Sequence, residues 1–168
     1  MWSSRIALLL LCLTVAGCGF QPLYGEHGTT NTAVTADLAA IRIEAIPDRI
    51  GQKMYNMLYE RLTPEGKADT PKYSLRVHIR ETVEELLYER DETATRANVI
   101  LRADYELRRI EDDELIAKGT SRSTSGYDIL SSQYATLVSK DDARTRSARA
   151  ISDDIRTRMA VALTGDGT

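Results

Sequence analysis

The chain has 168 residues, with 22 basic against 25 acidic side chains and a formal net charge of −3. That length fits one domain, and the mixed, slightly acidic balance excludes the basic footprint of a nucleic-acid binder. Both cysteines, Cys12 and Cys18, lie near the start, so the remaining 150 residues offer no thiol for a disulfide, a metal site or covalent catalysis.

Met1 to Arg5 is a short stretch with one positive charge, and Ile6 to Val15 is ten residues without any charge. A bilayer span needs about 20 apolar residues, so this run reads as the core of a cleaved secretory signal. Val15-Ala16-Gly17-Cys18 follows. Small residues fit the narrow pocket of a signal peptidase, and the thiol accepts diacylglycerol. The spacing resembles the bacterial lipobox, which predicts cleavage after Gly17 and fatty acylation of Cys18. Loss of residues 1–17, Arg5 among them, leaves 151 residues with a net charge of −4. Each buried acyl CH₂ contributes about 0.8 kcal/mol, and one chain alone holds weakly, whereas a triacylated cysteine holds firmly. The next residue is Gly19, not the Asp that resembles an inner-membrane retention signal in enteric bacteria. That favours the outer membrane.

Residues 18–37 read as a lipidated linker. Glycines, Pro22 and a Gly28-Thr29-Thr30-Asn31-Thr32 run interrupt any period, although Phe20, Leu23 and Tyr24 make the segment sticky. The first strand is predicted over about Ala39–Ile46, because Ile41, Ile43 and Ala45 alternate with Arg42 and Glu44. Pro47 ends it. Asp48 then reads as the N-cap of a helix to Leu62, whose Ile50, Met54, Met57, Leu58 and Leu62 share one face.

Three strand-like segments follow. Tyr73, Leu75, Val77 and Ile79 alternate with polar residues, and Glu81 to Glu85 breaks that phase, which predicts a bulge or an edge. Asp91 to Ala94 reads as a turn. Ala97, Val99, Leu101, Ala103, Tyr105 and Leu107 form the clearest alternation of all. After a turn at Glu111-Asp112-Asp113, Leu115 to about Ser125 reads as a more polar strand. Strands of 14 residues would run roughly 46 Å, which predicts a long hairpin reaching past the core. The last helix is marked by Ser139-Lys140-Asp141-Asp142, which resembles a capping box, with an extra turn beginning near Ser132 as the alternative start. Ala148, Ile151, Ile155, Met159 and Ala162 give its stripe.

The order is β-α-β-β-β-α. One apolar face per strand and one stripe per helix predict an α+β two-layer sandwich, two helices packed on one face of a four-stranded mixed sheet. Residues 38–163 form the single α/β domain, and 164–168 a disordered tail.

No nucleophile elbow, phosphate loop or paired metal-ligand motif occurs. No catalytic residue, metal or cofactor is therefore expected. His27 and His78 read as solvated, and Glu81, Glu84 and Glu85 as charges that guard a sheet edge. The arginines have two open readings, solvated surface or guanidiniums for phosphate, which Arg grips bidentately. Arg76, Arg80, Arg102 and Arg108 take outward strand positions. Arg149 and Arg156 share a helix face, with Asp153 in reach of Arg149. Arg90 and Arg96 flank the hairpin turn, beside Asp91 and Glu92, which could neutralise them.

Cys18-Gly19-Phe20-Gln21-Pro22-Leu23-Tyr24-Gly25 resembles the mature start of the LPS-assembly lipoprotein family, in its alphaproteobacterial branch. Leu101-Arg102-Ala103-Asp104-Tyr105-Glu106-Leu107, Tyr127 and Asp141-Asp142-Ala143 look similar too, so the resemblance covers most of the chain. It implies a small lipoprotein that sits in the lumen of the large outer-membrane β-barrel that inserts lipopolysaccharide, helps that barrel assemble, and binds lipopolysaccharide. Arg90 and Arg96 are then the candidate lipopolysaccharide contacts. An auxiliary lipoprotein subunit of a lipid-trafficking transporter is the alternative role.

Cys18→Ala is expected to abolish fatty acylation, since no other thiol outlasts signal cleavage. Metabolic labelling with a clickable fatty acid checks this, and continued labelling of the mutant would contradict it.

Overall fold

The computed structural model describes residues 29–64, 66–86 and 96–166. The signal segment, Cys18, Arg90 and the Asp91 to Ala94 turn lie outside the described residues. The elements are α1 (Thr29–Ala39), β1 (Ile41–Ile43), α2 (Asp48–Leu62), β2 (Tyr73–Leu86), β3 (Arg96–Arg109), β4 (Leu115–Asp128) and α3 (Gln133–Asp166).

Period-two patterning puts the odd residues of β2 and β3 on one face, and the helices cover that face. Leu75, Ala97, Val99, Leu101, Ala103 and Leu107 are fully buried, against Met54, Leu58 and Leu62 of α2 and Ala143, Ile151, Ile155 and Met159 of α3. The sheet order is β1-β2-β3-β4. β1 runs parallel to β2, with α2 as the crossover, and the other neighbours are antiparallel. The expected α+β sandwich with a mixed sheet is what forms.

Several details depart from the sequence reading. The supposed linker ends in helix α1, whose Val34 and Leu38, four apart, pack on the core. Polar Thr and Asn around them hide that short stripe. β1 is only three residues long. Asp48 does not cap α2 through its side chain. It is the first helical residue and has a left-handed backbone, φ 69°. Gly51 is required just inside α2, because a Cβ there would lie 2.7 Å from Ile46 Cγ2 and 2.8 Å from the Ile46 carbonyl oxygen.

β2 has no bulge. Its pairing with β3 runs unbroken from Tyr73↔Arg109 to Leu86↔Arg96. The other expected feature, an edge, is present: β1 pairs only with Tyr73 to Leu75, and beyond them Glu81 occupies an inward position, satisfied there by Arg144 of α3 at 2.7 to 3.1 Å. α3 takes the alternative start near Ser132, a turn and a half before Ser139. Thr136 Oγ1 donates to the carbonyl of Ser132 at 3.2 Å, and the Ala135 N–H reaches Ser132 Oγ at 3.4 Å. The helix continues through residues 164–166, which the sequence assigns to the tail.

At 1.5 Å per residue, the 34 residues of α3 extend about 51 Å, as long as the strands beneath it. At the described end of the long hairpin Ala97 is fully buried, whereas Glu84, Glu85, Leu86 and Arg96 are exposed, and the tip lies outside the described residues. Close approach is possible because β4 presents Ala117, Gly119, Ser121, Ser123 and Ser125 toward the helix side. Ser147 of α3 donates to Ser125 at 2.8 Å. The polar look of β4 is the cost of that tight seam.

Leu101→Asp is expected to prevent folding. It would place an unpaired carboxylate at a fully buried position, at several kcal/mol, against a total stability of typically 5–15 kcal/mol. A cooperative melting transition near that of the wild type would contradict the assignment of the odd face as core.

Candidate binding face

Even-numbered residues of β2, β3 and β4 point away from the helices, and no described element covers them. Register aligns them in cross-strand rows: Arg76, Glu106 and Lys118; His78, Asp104 and Thr120; Arg80, Arg102 and Arg122; Thr82, Ile100 and Thr124.

Toward β1, charge is matched. Glu44 accepts from Ser74 at 2.9 Å and from Arg76 at 2.9 and 3.3 Å, and Arg108 reaches Asp113 at 3.2 Å. Arg76 and Ser74 hold the Glu44 carboxyl below its usual range. The next rows are different. Like charges directly opposite one another in a sheet repel, yet three arginines share one row. A single carboxylate, Asp104 in the neighbouring row, serves two of them, Arg80 and Arg102. It accepts from Thr120 Oγ1 at 2.6 Å, from Arg102 Nε at 3.2 Å, and from Arg80. The Thr120 hydroxyl, then the two guanidiniums, bring its pKa down to about 2. Arg122 has no ionic partner among the described residues. The row carries three positive charges against one negative, so an excess of two faces solvent over a flat sheet. Ile100 beside it is buried although it lies on this open face. Such a surface suits an anion with several oxygens, which guanidiniums grip through charge-assisted bonds.

Of the arginines named from sequence, Arg80 and Arg102 come together here. Arg76 and Arg108 are bound to acids. Arg96 lies on the same face at the far end, 3.4 Å from Asp128. Its counter-charge comes from β4, whereas the turn acids Asp91 and Glu92 lie outside the described residues. Arg149 does not take Asp153, which pairs instead with Arg61 of α2. Sequence reasoning missed Arg122 and Asp104. Both sit at even positions, but only the β3–β4 register puts them beside Arg80. His78 is exposed on this face. No group of three or more His, Cys, Asp or Glu is placed to hold a metal among the described residues. None of the described helices is long and apolar enough to cross a membrane.

A second feature lies at the start of α3. Tyr134, Leu137 and Val138 share one face of the helix and are more than half exposed, with Leu130 close in sequence.

No family model matches this chain. An uncharacterized protein of Rickettsia prowazekii is 26% identical over 152 residues, covering 90% of this chain and 92% of that protein. A Caulobacter crescentus protein described as a lipoprotein has the same fold, with a TM-score of 0.66 and 21% identity over 80% of this chain and 97% of that one. Rare lipoprotein B of Shewanella oneidensis matches with a TM-score of 0.59 and 10% identity, over 76% of this chain and 98% of that one. The fold is one that lipoproteins carry.

Asp104→Asn is expected to have two opposite effects. Stability should fall, because the arginine row loses its only described counter-charge. The folded pKa lies below the ordinary value of 3.8, so the Asp104 contribution is complete above pH 4 and is lost as pH falls toward 2. The mutant should therefore melt lower at pH 7 and converge on the wild type near pH 2. Affinity for inorganic polyphosphate should rise at the same time. Equal melting temperatures at pH 7, or weaker polyphosphate binding, would contradict this reading.

Proposed function

We propose that this chain is a non-enzymatic outer-membrane lipoprotein, anchored through Cys18, that partners and plugs the lipopolysaccharide-inserting β-barrel. In that role it helps the barrel assemble and helps deliver lipopolysaccharide to the outer leaflet. The observation that carries the reading is the match of nearly the whole fold to lipoproteins from two other bacteria, joined to a sequence start that resembles the LPS-assembly family.

The physical requirements are consistent. A wide barrel leaves an open lumen that a folded domain can fill, and its inner wall is polar. The open sheet face is polar and mixed in charge, while the exposed apolar stripe of α3 offers a separate contact. Phosphate groups of lipopolysaccharide suit the unbalanced row Arg80, Arg102 and Arg122. Arg90 and Arg96, at the hairpin end, remain candidate contacts.

Purification of the lipidated protein in gentle detergent is expected to yield a roughly one-to-one complex with one large barrel. Recovery with an inner-membrane ATPase complex instead would overturn the plug reading and favour a transporter subunit. In the same preparation, Arg80→Gln/Arg122→Gln should weaken lipopolysaccharide binding tenfold or more. Each charged bond contributes about 1.5–3 kcal/mol, and about 1.4 kcal/mol is one decade. Arg90→Ala/Arg96→Ala is the parallel test of the hairpin end.

A further inference from the structure

β1 covers only a fraction of the edge of β2. It pairs with Tyr73, Ser74 and Leu75, and the Glu44 N–H makes the last contact, to the Leu75 carbonyl at 2.9 Å. The chain then turns away into α2. Because the Leu75 carbonyl faces β1, alternation turns the N–H and C=O groups of Ile79, Glu81, Val83 and Glu85 toward the same side. Among the described residues these groups have no backbone partner there. They form about 23 Å of open strand edge.

A cleft of 340 Å³ lies beside this edge. Ile46, Pro47 and Ile50 on one side and Ile79 on the other give it apolar walls, and Arg49 stands at it in the field of Asp141 but in no salt bridge among the described residues. Of the other charges around it, Lys53 binds Asp141 at 2.8 Å and Arg144 binds Glu81, while Asp48, next to Arg49 in sequence, is in no salt bridge among the described residues. The β4 edge is different. Arg146 occupies its Gly126 carbonyl at 2.8 Å.

We propose that the free edge of β2 is a strand-addition site for an extended segment of a partner protein. That segment continues the sheet where β1 stops. It places an apolar side chain in the Ile46–Ile50–Ile79 cleft and an acidic side chain near Arg49. Main-chain bonds supply affinity in such sites, and pockets for alternate side chains supply selectivity. A second copy of this chain is disfavoured as occupant, because two β2 edges paired to each other would gather Glu81, Glu84 and Glu85 of both. This proposal is independent of the barrel reading, and so is its test.

The full chain from Cys18 to Thr168, prepared without lipid, is panned against phage displaying random nine-residue peptides. Val83→Pro is the blocking variant. Its N–H faces the open edge, so the β2–β3 ladder keeps all its bonds. Thr82→Pro removes a ladder bond, so it should melt well below both the wild type and Val83→Pro. The wild type is expected to enrich peptides with apolar residues at every second position and one Asp or Glu. Val83→Pro should bind them at least tenfold more weakly. Arg49→Glu should shift the selected charge to Lys or Arg.

No enrichment, or enrichment that survives Val83→Pro, overturns the proposal. So does a Val83→Pro chain that melts as low as Thr82→Pro, since the edge geometry is then wrong. A wild-type dimer that Val83→Pro dissociates would assign the edge to a second copy. Enrichment only after deletion of residues 19–28 would assign it to the chain's own leading segment. Either outcome replaces the proposed partner.

Discussion

The fold depends on the odd-numbered face of β3. Ala97, Val99, Leu101, Ala103, Tyr105 and Leu107 line it from end to end, and all are buried. β2 and β4 are held on either side of it, and α2 and α3 lie across it. Among the described residues there is no second hydrophobic layer. The opposite face of the sheet has only Ile100 among its described buried apolar residues, so it contributes little to cohesion. One face bears the stability of the domain, and the other is left to charge.

That division explains how an unfavourable row of arginines persists. On a face that stability depends on, three like charges abreast would be eliminated by their cost. Here they stand in water, Asp104 and Thr120 take up part of the field, and the core beneath is indifferent to them. The ion pairs on the helix side are of another kind. Arg144 with Glu81 and Lys53 with Asp141 tie α3 to β2 and to α2. They fix where the long helix sits along the sheet, which unspecific apolar packing would leave free to slide.

The sheet and the crossover helix were legible from periodicity, because each buries one side chain in two or one stripe in four. β3 reads most clearly, since its inward residues are apolar along its whole length. The extent of β2 was harder to read. Glu81 points inward, and the residue that makes this tolerable lies 63 positions away. α1 escaped notice because two apolar residues, Val34 and Leu38, are its whole signature. The candidate site was half legible. Alternation showed Arg80 and Arg102 to be outward, but Arg122 joins them only through the β3–β4 register, which carries a shift between Leu107 and Arg108. Register across two hairpins is not written in the local pattern of either strand.

Chain order adds a consequence for biogenesis. A chain is made from its amino end, and α3 is the last of the described elements to arrive. Until its 34 residues have followed, the odd face of β3 and β4 has no lid, and α2 alone covers the β2 side. The domain therefore cannot close in stages from its amino end. It passes through an interval in which a strand pair with a greasy face is complete but bare, and its solubility during that interval rests on the arginine-rich side of the same sheet.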